Sequence, residues 1–153
     1  MARGPTDALR ARVAFVRSQY ANLRPAVAEV HKEWIKDRET DFGTGGATTA
    51  HGAWKSNKPS TVRRKGHSQV LFGHPSKGFN LFKSVTDSKH TDHVFDWIQG
   101  GNFIELGTQH WKARIHTLGL GPGGIRRVID PTTKQRKGYA RILSNWVLKG
   151  KLP

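Results

Sequence analysis

"HVFDWI" at residues 93–98 and "NFIEL" at 102–106 stand on either side of the glycine pair Gly100–Gly101. Two runs rich in β-branched and aromatic residues, broken by "QGGN", read as strands near 93–99 and 102–107 joined by a hairpin turn. Upstream, "VLF" at 70–72 and "FNLFKSV" at 79–85 carry a similar strand-like pattern, with "GHPSKG" between them as a turn signal. The span 70–117 is therefore expected to be an antiparallel sheet region.

The N-terminal segment has a different period. Leu9, Val13, Val16, Tyr20 and Leu23 follow one another at spacings of 4, 3, 4 and 3, which places them on one face of a helix. Thr6 is a candidate N-cap, and Pro25 either ends this helix or opens the next at its first turn. Val27, Val30, Trp34 and Ile35 continue the period, with Glu29, Lys32, Glu33 and Lys36 on the opposite side. Helix over about 6–38, broken or kinked near Pro25, is the expectation. A stripe of this kind is core or subunit interface more often than a cofactor site.

Between helix and sheet, "DFGTGGATTAHGAWKSNKPST" (41–61) is rich in Gly, Thr, Ser and Asn, and reads as an extended loop with Trp54 as its one aromatic anchor. The extended basic segment is taken to run over 41–69. "LGLGPGG" (118–124) reads as a mobile loop. Tyr139, Ile142, Leu143, Trp146 and Val147 return to helical spacing at the C-terminus, where a strand also fits. The fold class is α+β in one domain: an N-terminal helix or kinked helix pair (1–40) packed on an antiparallel β-sheet (70–117), with long glycine-rich loops and a loop and C-terminal segment over 118–153.

The 153 residues carry a net charge of +15 and no cysteine, which removes disulfides, thiolate metal sites and cysteine nucleophiles. The charge is uneven. Residues 1–42 hold 8 basic and 6 acidic side chains, residues 43–90 hold 8 and 1, and residues 91–153 hold 10 and 4. A field of that sign draws in nucleic acid or an acidic protein surface. The opening "MARGPTDALRARVAF" lacks the apolar run of a signal peptide or anchor, and no window approaches the roughly 20 apolar residues that span a bilayer. A soluble protein is expected.

Enzyme chemistry finds little support. "FGTGGATT" lacks the lysine of a phosphate-binding P-loop, and "GLGPGG" has proline where a dinucleotide fingerprint would start its helix. His90 and His93 in "KHTDH" could hold a metal at helical i, i+3 spacing, yet the surroundings read as strand, so solvated turn histidines are the better reading. Glu105 could act as an acid or base, or pair with a cation of the sheet or of a neighbouring subunit, which is the reading favoured here. Neither a catalytic set nor a metal site nor a cofactor is assigned. The strongest signal is "PSTVRRKGHSQVL" (59–71). Lys55, Lys58, Arg63, Arg64, Lys65, Lys77 and Lys83 form a basic run with Trp54, Phe72, Phe79 and Phe82 among them. Cations interleaved with aromatics can contact phosphates without reading sequence, although these aromatics alternate with polar residues and fit the inner face of the sheet better. Ser60 and Thr61 read as turn or cap residues, and Gly66 as the break before a strand at Val70–Phe72.

Five phrases occur in a telling order. They are Trp54; Thr61, Lys65 and Gly66 of "PSTVRRKG"; Leu71, Gly78, Leu81 and Ser84 of "VLFGHPSKGFNLFKSV"; Leu106, Gly107 and Thr108 of "ELGT"; and Ala113, His116 and Gly119 of "ARIHTLG". In this order the chain resembles the phage virion morphogenesis (tail completion) family over about 65 residues. It departs from that family in lacking a tyrosine just before Ala113 and in its C-terminal "GYARILSNWVLKGKLP". The resemblance implies a non-enzymatic structural virion protein of a tailed bacteriophage, made in the host cytoplasm. As a neck, head–tail connector or tail terminator subunit, it would form a ring, expected to be a hexamer, around the DNA channel. Lys55, Lys58, Arg63, Arg64 and Lys65 would meet neighbouring neck and tail proteins or packaged DNA, and Leu9, Val13, Val16, Tyr20 and Trp34 would form the oligomer interface. The alternative, from another class, is a small basic DNA-binding protein or metal-dependent nuclease using the same run with His90, His93 and Glu105.

Overall fold

The computed structural model describes residues 5–72, 81–98, 103–120 and 126–153. The expected turns at 73–78 and Gly100–Gly101, residues 121–124 of the expected loop, and Lys77, Gly78 and Phe79 lie outside the described residues. The order of elements is α1 (Pro5–Ala21), α2 (Arg24–Gly43), α3 (Pro59–Lys65), α4 (Leu81–Thr86), β1 (His93–Ile98), β2 (Phe103–Thr108), α5 (Trp111–Leu118) and α6 (Thr133–Lys149). The class is α+β, with helices packed on a small antiparallel sheet.

Helix α2 is the axis of the fold. Its buried residues Ala26, Val27, Val30, His31, Trp34, Arg38, Asp41 and Phe42 recur every three or four positions and form a stripe facing inward. Pro25 lies in the first turn of α2, where a missing N–H costs nothing, so the break falls where the sequence placed it. Helix α1 starts at Pro5, which puts Thr6 inside the first turn and not at the cap. Trp34 is 2% exposed within the single chain and belongs to its core, not to an oligomer interface.

A buried ion pair closes the C-terminal half of α2. Arg38 and Asp41 are both fully buried and stand 2.9 Å apart. Arg38 also donates to the Val128 carbonyl at 3.2 Å and to Gln135 Oε1 at 3.0 Å, while Thr48 Oγ1 donates to Asp41 Oδ1 at 2.5 Å. These bonds satisfy charges that would otherwise be costly to bury, and they tie α2 to the segment leading into α6. Past α2 the chain turns through Gly45 and Gly46, both at positive φ. A Cβ on Gly46 would stand 2.6 Å from the Trp54 ring, so glycine alone fits beneath that indole. Trp54 packs edge-on against Phe42 at 5.2 Å and anchors the loop, as expected from sequence.

The two strands read on either side of Gly100–Gly101 form. β1 and β2 pair antiparallel from His93 opposite Thr108 to Ile98 opposite Phe103. One face, with His93 and Leu106, turns to the core: His93 meets the Trp34 ring edge-on at 5.9 Å, and Leu106 packs against the core. The other face carries Asp96 directly opposite Glu105, both exposed. The expected cation beside Glu105 is therefore not found on the sheet; its cross-strand neighbour is a second carboxylate, and it makes no ion pair among the described residues.

The sheet is smaller than expected, having two strands among the described residues. Residues 70–72 form no strand, and Leu71 takes a positive φ of 67°. Leu81, Ser84 and Val85 are buried at i, i+3 and i+4, so "LFKSVT" is helix α4. Residues 111–118, inside the expected sheet region, are helix α5, and the extended 41–69 segment contains helix α3. The C-terminal segment is helix α6, opened by a capping box in which Thr132 and Gln135 bond each other's backbone N–H groups. It packs Ile142, Tyr139, Leu143 and Trp146 against Ala26 and Val30 of α2. The indole of Trp146 donates to the Asn22 carbonyl at 2.8 Å, which holds the end of α1 to α6.

Candidate functional site

Three surfaces could carry function, and the basic one is the best built. Pro59 opens α3 in its first turn, Arg63, Arg64 and Lys65 fill its last turn, and Gly66 at φ 75° caps it. Cations at a helix C-terminus meet the partial negative charge of the last carbonyls. Ser60 and Thr61 thus lie within a helix, and Gly66 ends that helix where a strand was expected to follow. Asn57 Nδ2 donates to the carbonyls of Ser68 and Gln69 at 3.1 and 3.0 Å, and Lys65 Nζ donates to the Gln69 carbonyl at 2.8 Å. The loop around α3 is thereby closed on itself. Lys55, Lys58, Arg63 and Arg64 stay exposed, whereas Lys65 is half-buried.

The fold adds cations that the sequence did not single out. Arg126 donates from Nη2 to the Lys55 carbonyl at 2.7 Å, fastening its segment to the base of the α3 loop. Lys112, on α5, belongs to the same cluster. Burial lowers the Lys65 pKa, and Arg126, Lys112 and Arg64 press it further in that direction. His116 is pushed down to about 4, first by burial and then by Arg126 and Lys112, so it is neutral at physiological pH. Beside this cluster Trp111 is 61% exposed, with Lys112 Nζ 5.4 Å from its ring centroid. A cation cluster edged by an open indole can take up both phosphates and stacked bases.

The second surface is the outer side of α1. Leu9 is 64%, Val13 42% and Tyr20 52% exposed, with Val16 half-buried. Helix α1 packs on α6 through its other side: Arg12 donates to the Leu148 carbonyl, and Phe15 lies against Gly150. The expected interface residues on α1 are therefore presented together, while Trp34 is not among them.

The third is a polar cleft of about 810 Å³ between α2 and α6, lined by Glu33, Asp37, Thr40, Lys137, Tyr139 and Arg141. Tyr139 donates to Asp37 Oδ2 at 2.5 Å. Burial, followed by that carboxylate, raises the tyrosine pKa far above its ordinary value. The phenol is a tie between helices, not a group ready to ionise.

The residues of the nuclease alternative do not converge. His93 and Glu105 project from opposite faces of the hairpin, since His93 pairs with Thr108 and Glu105 with Asp96. His93 Nε2 instead meets His31 Nε2 at 2.8 Å, and the His31 ring stacks on Phe95 at 4.0 Å. His90 accepts the Asp92 backbone N–H through Nδ1 at 3.1 Å. Among the described residues no three His, Asp or Glu side chains group as a metal site would require, and no helix is long and apolar enough to cross a membrane.

Comparison with known proteins finds no matching family model, no matching curated sequence and no matching solved structure.

Proposed function

We propose that this chain is a non-enzymatic structural subunit of a tailed-phage particle, a neck or tail-completion protein that assembles as a ring around the DNA path and joins head to tail. The observation that carries the reading is the apolar stripe of Leu9, Val13 and Tyr20, left uncovered on a largely exposed helix that meets α6 along one flank. A water-facing stripe of this kind calls for a partner surface. A closed ring also needs heterologous contacts, in which one surface of a subunit meets a different surface of the next. The subunit offers such a pair in the α3 cations and the outward Asp96–Glu105 couple. The order of the Trp54, Lys65–Gly66, Leu81–Ser84, Gly107–Thr108 and His116–Gly119 phrases supports the same family reading.

In this reading the ring sits at the head–tail junction or top of the tail, in contact with neighbouring neck and tail proteins. Six copies at +15 each would concentrate positive charge around an axis, which suits passage of packaged DNA or docking on an acidic ring. The test is the mass and shape of the purified protein: light scattering after size exclusion, with negative-stain images. The expected result is a ring-shaped multimer. A strict monomer at all concentrations, binding DNA with steep salt dependence, would overturn the ring. It would favour the second reading, a small DNA-binding protein, for which the open Trp111 beside Lys112 is the supporting feature.

A further inference from the structure

Arg126 is only 6% exposed, and none of the described ion pairs includes it. Its Nη2 is held by the Lys55 carbonyl, and its backbone N–H donates to the His116 carbonyl at 2.8 Å. Its Nε is buried with no partner among the described residues. Arg38, fully buried and likewise with an unpartnered Nε, differs in having a counter-charge: Asp41 stands 2.9 Å away. A buried guanidinium without a counter-charge is unfavourable, and in place of a carboxylate the fold sets more cations beside it. Lys65 comes from α3 and Lys112 from α5, both near enough to act on the groups around Arg126. His116, also on α5, has a buried Nδ1 with no partner among the described residues.

We propose that Arg126, Lys65, Lys112 and His116 form a binding site for a phosphate group, carried either by a nucleic-acid backbone or by free phosphate. Arg126 Nε–H and a neutral His116 Nδ1–H supply directed donors, and the two ammonium groups supply charge. Three fixed cations match the charge and the several acceptor oxygens of a phosphate better than a single carboxylate does. Exposed Trp111 at the rim would let a base stack beside a bound backbone phosphate. The site lies within one subunit and owes nothing to ring formation, so it is tested on the isolated chain whatever its oligomeric state.

The experiment is thermal melting with calorimetry in inorganic phosphate, acetate and chloride at matched ionic strength, followed by a short oligothymidylate lacking terminal phosphates. The expected result is a rise in melting temperature with phosphate alone. Phosphate affinity should fall at least tenfold in Arg126→Gln and in Lys65→Ser/Lys112→Ser, with folding checked by circular dichroism. Competition between oligothymidylate and phosphate identifies the backbone as the source, and tight phosphate binding without competition identifies the free anion. The proposal is overturned if phosphate does no more than chloride, or if acetate does as much as phosphate. It is equally overturned if the folded double lysine variant keeps wild-type affinity, a result that stands even should Arg126→Gln fail to fold.

Discussion

Helices α1 and α2 carry the same apolar signature and meet opposite fates. In α1 the stripe Leu9, Val13, Tyr20 faces water, whereas in α2 the stripe Val27, Val30, Trp34 is 2% exposed throughout. What differs is the neighbourhood. Helix α2 is packed by α4, by α6 and by the histidine and aromatic side chains of β1, while α1 meets α6 on one side. Periodicity thus states that a face wants burial, and tertiary packing decides whether the subunit itself provides it.

The sharpest way to break this contrast is by truncation. Trp34→Ala removes the largest fully buried side chain and is expected to cost about 3–5 kcal/mol of unfolding free energy in a urea titration. Val13→Ala on α1 should stay within about 0.5 kcal/mol in the monomer, as exposed positions do. Equal losses at the two positions would mean that α1 is buried by the subunit after all.

The next effect is pH-dependent and concerns how α2 is held to the sheet. His31 is pushed down to about 4, mainly by burial and further by His93. The His93 pKa is also lowered, mainly by burial, although Asp87 and the Ser84 and Val85 carbonyls pull the other way. In the unfolded chain histidine takes up a proton near pH 6.5, whereas folded His31 resists until about pH 4. The unfolded state therefore binds more protons across that interval, and stability drains as pH falls from about 6.5 toward 4. Urea midpoints at pH 7 and pH 5 should show this loss, and His31→Gln should reduce it. His116 shares the lowered pKa, so the difference between wild type and variant, not the raw slope, reports on the α2–β1 contact. An unchanged slope in His31→Gln would show that this pair does not couple α2 to the hairpin.

Much of this architecture was legible, and the failures share a cause. Helix α2 and the β1–β2 hairpin were read because each repeats its period over enough residues to exclude the alternative. Helix α6 was half legible: the spacing of Tyr139, Ile142, Leu143, Trp146 and Val147 fits a helix but left a strand open, and the Thr132–Gln135 capping box that opens the helix was not read. Helices α3, α4 and α5 are 7, 6 and 8 residues long, too short for period 2 and period 3.6 to separate. In α4 the decision is made by Leu81, Ser84 and Val85 entering the core together, and Thr108 Oγ1 donates to Ser84 Oγ at 2.9 Å. The basic surface was half legible for a related reason. Arg63, Arg64 and Lys65 are contiguous, but Lys112 and Arg126 join them only through folding, and no local pattern announces such a meeting.

The smallest effect on folding should come from the α1 stripe, and it separates the two helices most cleanly. Leu9→Ser, Val13→Ser and Tyr20→Ser together remove the exposed apolar face and leave untouched Phe15, Arg12 and the Trp146–Asn22 bond that hold α1 to α6. Each position lies on the surface, so the three together should shift the urea midpoint by little, on the order of 1 kcal/mol or less. Assembly should respond in the opposite sense, because an interface is disabled when its central apolar contacts are lost. If the unaltered chain assembles as proposed, light scattering should report monomer for the variant. A variant that keeps its stability and its multimeric mass would place the subunit contact elsewhere, with the outward Asp96–Glu105 couple facing the α3 cations as the next surface to reverse in charge.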